Sequence, residues 1–369
     1  GTISHLRKRR LPDPPAPTSS GRKGQGMNLR VPAREFDGYR VRLMENSDAQ
    51  AVVDLYRKVY GDHFPIPEMY DPRHIIQQQE AGLMYRVVVV DAAEKVLAHH
   101  AMYRLKESYD RLYEAGQGMV LPEYRGKGFS NVTQDYIGRE LTAAVGVEEF
   151  WGESVTNHVK MQKAALYVGV KETGIEIEVM PAESYTAEES APGRVGAVVC
   201  NLVVKEKPHT IFLPAPYAEV LTRIYENGKR VRKLETSSQA LPEEGRTRYA
   251  DTFIPSAGVL RISLFEAGKD VDEVIAGLIK KYTAAGAVVL QVLLPLDKPW
   301  SGALTEILNR RGFFFAALVA RWFDADGLML QKLVRPTNYD NMKIHSDSAK
   351  DLLKFIIQDR IRAEAFSAG

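Results

Sequence analysis

The chain has 369 residues, more than one ordinary hydrophobic core contains and about the length of two domains. Its composition, 45% apolar and 26% charged, excludes a disordered or fibrous protein, and its net charge of +2 excludes an overall bias toward nucleic acid. Cys200 is the only cysteine, which excludes a disulfide within the chain and a zinc site built on several cysteines. No apolar run approaches the roughly 20 residues that span a bilayer, so we expect a cytoplasmic protein without a membrane segment.

Residues 1–30 are predicted to form a flexible tail that is rich in proline and basic residues. The first 26 residues contain six basic residues and one acidic residue, a local charge of +5, and residues 11–17 contain four prolines, which disfavour regular structure. Gly1 is not a natural first residue and Met27 is an alternative start, so we interpret the tail as an upstream extension. The alternative is an arm that binds polyanions weakly; nucleic acid is otherwise not expected as a partner.

From residue 39 onward the pattern alternates between strands and helices. Ser47 and Gln50 match a capping box, and Val52, Leu55 and Tyr56 follow at helical spacing, which predicts the first helix. The remaining elements predicted up to residue 204 are a strand at 39–44, a helix at 73–81, strands at 84–91, 96–105 and 113–121, a helix at 129–144, a strand at 149–156, a helix at 160–168, and strands at 174–180 and 194–204.

A second alternation of helices and strands follows residue 205. Its predicted elements are a helix at 217–226, a strand at 258–264, a helix at 271–284, a strand at 287–294, a helix at 302–310, strands at 313–323 and 328–334, and a last helix at 347–362. The two halves have a similar element order without obvious sequence identity. This predicts an α/β (α+β) protein with two related domains, residues 37–204 and 205–369.

The most informative segment joins the strand at 113–121 to the helix at 129–144. It has the sequence Arg125-Gly126-Lys127-Gly128-Phe129-Ser130. The glycines allow a ligand to approach the backbone closely, and the helix start adds about half a positive charge, so the segment can bind a pyrophosphate. Residue types alone leave an ordinary turn as the alternative, because two glycines near a helix start are common.

This segment resembles motif A of the GNAT acetyltransferase superfamily, Arg/Gln-x-x-Gly-x-Gly/Ala, at Arg125, Gly128 and Ser130. Ser130 replaces the usual glycine or alanine, one small residue for another. The resemblance covers about residues 37–180. It implies acetyl-CoA as the cofactor and co-substrate, and two GNAT-like domains, each a mixed, mostly antiparallel twisted sheet flanked by helices.

The resemblance also implies which residues contact acetyl-CoA. The expected contacts are Met119, Val120 and Leu121 for the pantetheine arm, and Arg125, Gly126, Lys127, Gly128, Phe129, Ser130 and Asn131 for the pyrophosphate. The stretch from Thr156 to Val170 is similar to the family's strand–helix motif B. Asn157 within it is expected to contact pantetheine or the helix start, and an ordinary N-cap role stays open.

Acetyl transfer to an amine requires a base and a group that stabilises the leaving thiolate. Glu114 lies eleven residues before Arg125, where several GNAT members carry the glutamate base, and Glu153 and His158 are the alternatives. The tyrosine that many members use as the acid would fall at Ala165. Tyr167 lies two residues later, about 200° further round the helix, so protonation by water or by Tyr167 after a helix shift is left open.

No metal site is predicted. His99 and His100 are adjacent on a strand and therefore point to opposite faces, which makes them poor joint ligands. The chain offers no other spacing of histidine, aspartate and glutamate that suggests a metal centre.

In the second half, the segment that corresponds to the phosphate loop is acidic. One lysine, Lys269, stands among Glu266, Asp270, Asp272 and Glu273. We therefore predict a degenerate GNAT-like domain that does not bind the cofactor, and that instead walls the acceptor site, forms a homodimer or binds a regulatory protein. The predicted activity of the whole is acetyl transfer from acetyl-CoA to an amine, a small molecule or a protein lysine, by direct attack in a ternary complex. The alternative is a non-catalytic CoA-sensing or partner-binding module.

Overall fold

A computed structural model describes residues 29–61, 66–181 and 193–368 of the chain. These residues form two units that meet in sequence at Phe150 and Trp151. Both are mixed α/β structures with mostly antiparallel sheets, which confirms the predicted fold class. The predicted tail lies outside the described residues as far as position 28.

The first unit contains an antiparallel sheet with helices on both faces. Its elements are β1 (Arg34–Phe36), β2 (Tyr39–Leu43), α1 (Ala49–Tyr60), α2 (Pro72–Glu80), β3 (Met84–Val90), β4 (Val96–Tyr103), β5 (Leu112–Val120), α3 (Phe129–Tyr136), α4 (Thr142–Val145) and the start of β6 (Glu149–Val155). The sheet order is β1-β2-β3-β4-β5, and β5 then runs parallel to the start of β6 for two residue pairs. A π-helical turn, Ile137–Leu141, joins α3 to α4.

The start of α1 differs from the predicted capping box. A 3₁₀ turn, Asn46–Asp48, precedes the helix, and the carboxylate of Asp48 accepts a hydrogen bond from the backbone N–H of Glu45 at 2.7 Å. The same carboxylate pairs with Arg42 at 2.6 Å. The capping box of this turn is therefore formed by Glu45 as the N-cap and Asp48 three residues later, not by Ser47 and Gln50, and Asp48 also pairs with the buried Arg42 of β2.

The adjacent histidines of β4 point to opposite faces of the sheet, as predicted. His99 lies 5.6 Å from the ring of Tyr56 on α1, whereas Nδ1 of His100 lies 3.3 Å from Oγ1 of Thr133 on α3. Burial lowers the pKa of His99 to about 3, assisted by the positive charge of Arg86, and burial lowers the pKa of His100 to about 4. Both imidazoles are therefore neutral in the folded protein at physiological pH.

We expect these two histidines to make stability fall in mild acid. The unfolded chain takes up protons on them below a pH of about 6.5, while the folded protein does not until its lower pKa values are reached, so the stability is complete above that pH and is lost below it. Between pH 7 and pH 5 each histidine should lower the free energy of unfolding by about 2 kcal/mol. Urea denaturation at the two pH values measures this. His100→Gln should reduce the fall in stability by about 2 kcal/mol, and an unchanged fall would contradict the assignment.

The second unit contains the rest of β6 and all later elements. These are α5 (Lys160–Tyr167), β7 (Lys171–Met180), β8 (Val195–Val203), β9 (His209–Leu213), α6 (Ala218–Gly228), β10 (Arg232–Thr236), β11 (Arg248–Ile254), β12 (Val259–Glu266), α7 (Val271–Ala284), β13 (Val289–Pro295), α8 (Ser301–Arg310), β14 (Phe314–Val319), β15 (Gly327–Leu333) and α9 (Asp347–Ala368). Its strands follow the order β6-β8-β7-β14-β15-β13-β12-β11, and β9 pairs with β10 in a separate parallel ribbon.

The division into units does not coincide with the predicted domain boundary at residues 204 and 205. Strand β7 pairs with β14 at Gly174 and Ala317, so residues from both predicted domains belong to the second unit. Gly174 permits this pairing, since a Cβ atom there would lie 2.0 Å from the carbonyl oxygen of Ala316. The duplication itself stays a prediction.

Candidate functional site

The predicted phosphate loop is an open turn that leads into α3. Gly126 and Gly128 both adopt left-handed conformations, with φ of 85° and 81°. A Cβ atom at Gly126 would meet no atom within 4 Å. Gly128 is the N-cap of α3 and provides no capping side chain. The positive end of this helix therefore has no capping side chain, which suits an anion, and the ring of Phe36 lies beside it, 3.5 Å from the position of a Cβ atom at Gly128.

Aromatic rings fix the loop to the β1–β2 hairpin. The buried ring of Phe129 packs edge-on against Tyr39 at 4.9 Å and Phe36 at 6.4 Å, and it stacks with Tyr124 at 6.3 Å. Nζ of Lys127 donates to the hydroxyl of Tyr39 at 2.9 Å, and this hydrogen bond raises the pKa of the lysine. The loop is thus held in place by apolar packing and keeps a charged lysine at its surface.

Of the other predicted loop residues, Arg125, Ser130 and Asn131 are exposed, so their polar groups are accessible to a ligand.

At the end of β5, the backbone N–H and C=O groups of Val120 point away from β4. The N–H of Leu121 donates to the carbonyl oxygen of Leu97 at 3.0 Å, and Val120 is paired in register with Ala98. Bonds to a neighbouring antiparallel strand alternate along the chain, so the peptide groups of Val120 point to the opposite edge. Met119 is buried against the sheet. These residues can bind an extended chain such as pantetheine through backbone hydrogen bonds.

Glu114 lies in the same strand, before the loop, and its side chain is only 2% exposed. It pairs in register with Tyr103 of β4. A Cβ atom at Gly116 would lie 2.6 Å from the hydroxyl oxygen of Tyr103, so this hydroxyl extends along the face that carries Glu114. A carboxylate and a phenol therefore share one face of the sheet. Tyr103 was not singled out from the sequence, because only the pairing register brings it beside Glu114.

The alternative base Glu153 lies in the second unit, in a buried ionic cluster. Its carboxylate pairs with Arg261 at 3.1 Å, and the same guanidinium pairs with Glu176 at 2.6 Å. Burial raises the pKa of Glu176 well above its usual range, and the negative charge of Glu153 adds to the rise. Gln291 also donates to Glu176 at 2.7 Å. Glu153 is thus engaged in holding β6, β7 and β12 together.

The motif B residues lie after β6 in the second unit. Asn157 is buried, and the nearby side chain of Gln162 anchors the segment by donating to the carbonyl oxygens of Val155 and Lys343 at 3.1 and 2.8 Å. His158 is partly exposed. Tyr167, at the end of α5, is 93% exposed. The roles of Asn157, His158 and Tyr167 stay predictions.

In the second half, residues of the chain itself cover the helix start that was predicted to correspond to the loop. The N–H of Gly268 donates to the hydroxyl of Thr247 at 3.2 Å, and the carboxylate of Asp270 accepts from the N–H and the hydroxyl of Thr247, both at 2.8 Å. A Cβ atom at Gly268 would lie 2.5 Å from the backbone of Arg246. Residues 245–247 therefore occupy the space beside the start of α7.

The strands before and after α7 also stay together. Strands β12 and β13 pair in parallel over five residue pairs, from Val259 with Val289 to Ser263 with Leu293. In the first unit, β5 and β6 pair in parallel at two positions. The parallel pairing of β12 with β13 is therefore longer than that of β5 with β6.

We expect one CoA per chain for these reasons. The first loop combines close backbone approach, an uncapped helix start and positive charge, whereas the second helix start is covered by residues 245–247 and surrounded by carboxylates. Calorimetric titration of the full chain should saturate at a single equivalent. Two equivalents of comparable affinity would show that the second half binds the cofactor after all.

Within residues 29–61, 66–181 and 193–368 no group of three or more histidine, cysteine, aspartate or glutamate side chains is arranged to hold a metal ion. No helix in the described part of the chain has the length and apolar character needed to cross a membrane.

Among solved structures, the chain is similar to three N-acetyltransferases at low identity. The ribosomal-protein-S5-alanine acetyltransferase from Vibrio fischeri is 19% identical, with a TM-score of 0.35 over 46% of this chain and 96% of that one. Mutant forms of the spermidine/spermine N-acetyltransferase SpeG from Vibrio cholerae are 16% identical, with a TM-score of 0.35 over 45% and 94%. A GCN5-related N-acetyltransferase from Kribbella flavida is 20% identical, with a TM-score of 0.33 over 46% and 99%.

No protein-family model matches the chain, and no curated protein matches it. The matched structures are described as N-acetyltransferases, and at these identities and TM-scores the GNAT resemblance of the loop sequence stays a prediction. They cover less than half of the chain, so the tandem second domain stays a prediction. Identities of 16–20% bring neither a substrate nor a catalytic residue over to this chain.

Proposed function

We propose that this chain transfers the acetyl group of acetyl-CoA to an amine, a small molecule or a protein lysine, by direct attack in a ternary complex. The observation that supports this most is the uncapped start of α3 behind Gly126 and Gly128, at the end of the strand that carries Glu114. The loop suits a pyrophosphate, and the strand brings a buried carboxylate into the same unit.

The residues of the first unit fit acetyl-CoA. The backbone of residues 126–130 and the charges of Arg125 and Lys127 would hold the pyrophosphate, and the outer edge of Met119–Leu121 would hold the pantetheine arm. Bound in this way, acetyl-CoA supplies an activated acetyl group as a thioester. The open loop and the free strand edge are what the cofactor requires from the protein.

The protein's own side chains are proposed to transfer protons during the reaction. As the new carbon–nitrogen bond forms and the carbon–sulfur bond breaks, the attacking amine must lose a proton and the leaving thiolate must gain one. Glu114 is the proposed acceptor of the amine proton. For the thiolate we add the hydroxyl of Tyr103 to water and Tyr167 as candidate donors, because it shares a face of the sheet with Glu114. Glu153 is the weaker candidate base, since it is already paired with Arg261.

The second candidate function is a non-catalytic module that senses CoA or binds a partner. Two features favour it. This chain has alanine at position 165, where the family commonly has tyrosine, and residues 245–247 cover the helix start in the second half. Purified full-length protein incubated with acetyl-CoA and a panel of amines, with release of free thiol as the readout, separates the two. Amine-dependent thiol release supports the enzyme, and tight CoA binding without release supports the module.

Other partners and the location belong to the same proposal. We propose a cytoplasmic enzyme whose second half is structural, with a homodimer or a regulatory protein as further partners. Weak binding of nucleic acid, if present, would come from the basic tail. Removal of residues 1–26 should then abolish it without changing CoA affinity.

A further inference from the structure

Strand β5 contains a β-bulge between Glu114 and the segment that would hold pantetheine. His99 pairs with Met119 and Ala101 pairs with Gly116, so Gln117 and Gly118 together oppose the single residue His100. Gln117 has a φ of 57°, a left-handed conformation that costs free energy for any residue other than glycine. Bulges of this kind redirect a strand next to functional sites, and a strained one requires contacts that stabilise it.

Two buried side chains from other elements bond to Gln117, one to its side-chain oxygen and one to its backbone carbonyl oxygen. The hydroxyl of Tyr56 on α1 donates to Oε1 of Gln117. Nδ1 of His99 on β4 lies 3.0 Å from the backbone carbonyl oxygen of Gln117, and because that oxygen can only accept, the imidazole carries its proton on Nδ1. Tyr56 and His99 are both almost completely buried, so neither bond competes with solvent.

A buried arginine of β3 bonds to α2 and carries a positive charge that acts on Tyr56. Arg86 of β3 is completely buried and donates to the backbone oxygen of Ile75 at 3.1 Å and to Oε1 of Gln78 at 2.5 Å. Burial lowers the pKa of Arg86 to about 10, which leaves it charged, and its positive charge acts on the hydroxyl of Tyr56. A positive charge near Tyr56 makes its hydroxyl a better donor to Gln117, since neighbouring polar groups polarise one another.

We propose that Tyr56 and His99 are positioning residues that hold the bulge at Gln117. The bulge sets the direction of the three residues that follow it, and the peptide groups of Val120 point away from β4 only in this register. The hydrogen bonds of these residues to Gln117 would thereby fix the strand edge that binds the pantetheine arm. This inference rests on the proposed function, because it requires that CoA binds along β5.

Two probes separate an effect on the strand edge from an effect on the loop. CoA contains the pantetheine arm, whereas adenosine 3′,5′-bisphosphate lacks it. In calorimetric titrations of the full chain, Tyr56→Phe should weaken CoA roughly tenfold while leaving the affinity for the bisphosphate unchanged. Tyr60→Phe is the matched control, because Tyr60 lies one turn later on α1 with its ring 6.3 Å from that of Tyr56. It should change neither affinity.

A second pair of variants tests His99. His99→Asn keeps an N–H donor near the position of Nδ1 and should retain CoA affinity, whereas His99→Leu removes the donor and should lose affinity for CoA alone. Unchanged CoA affinity in both Tyr56→Phe and His99→Leu would overturn the inference, and so would an equal loss of both probes. If the wild-type chain binds neither probe, the proposed function fails first and the inference fails with it. If the wild-type chain binds both probes and the variants keep its CoA affinity, only the positioning role is refuted and the proposed function stands.

Discussion

Gly128→Glu is expected to abolish measurable CoA binding. The residue is the N-cap of α3 with a φ of 81°, and a glutamate there would place its carboxylate beside the first-turn N–H groups that are proposed to bind the pyrophosphate. Like charge and competition for the same donors should weaken CoA on the order of 10²-fold or more. Calorimetric titration measures the loss. A folded variant with undiminished affinity would refute the loop as the cofactor site.

Gly245→Glu is the matched control for backbone strain. Gly245 is exposed, has a φ of 84°, and a Cβ atom there would meet nothing within 4 Å, so the left-handed penalty is similar. That penalty is roughly 1–2 kcal/mol for a residue other than glycine. Both variants should lose comparable stability in thermal unfolding. Only Gly128→Glu should lose CoA.

Glu114→Gln should lower turnover roughly 10²-fold or more. Glutamine has nearly the same shape and still forms hydrogen bonds, but it cannot accept the proton of the attacking amine. CoA affinity should stay nearly unchanged, because Glu114 precedes the bulge and the loop in the strand. Turnover should recover in part at high pH, where more of the amine is already deprotonated. Initial rates of thiol release between neutral and alkaline pH measure both effects.

Glu149→Gln is the control for replacing a buried glutamate in the same unit. Glu149 begins β6, is completely buried and pairs in register with Leu112, two residues before Glu114. Its replacement should affect stability more than turnover. Normal turnover of Glu114→Gln at neutral pH would move the base role to Glu153, His158 or water. Glu153→Gln is expected to lower stability, because Arg261 would lose a buried carboxylate.

The residue pattern alone predicted much of the first half. The strands at 84–91, 96–105 and 113–121 and the helix that follows Gly128 appear in the structure with ends that differ by a few residues. These elements have strong local signals, since β3 and β4 are almost wholly apolar and the loop has a recognisable motif. In the second half, β9, β10 and β11 were not predicted. Their short sequences of mixed polarity become strands by pairing, β9 with β10 beyond helix α6 and β11 with the neighbouring β12.

The sequence by itself determined the open loop at Arg125–Ser130, because glycine conformations and charge at a helix start are local properties. Only the tertiary structure decided what surrounds it. The register of β4 and β5 brings Tyr103 beside Glu114, and the bulge at Gln117 is held by residues from two other elements, α1 and β4. Arg261 engages Glu153 from more than a hundred residues away. Such contacts depend on pairing between distant segments, and no pattern within a short stretch of sequence encodes them.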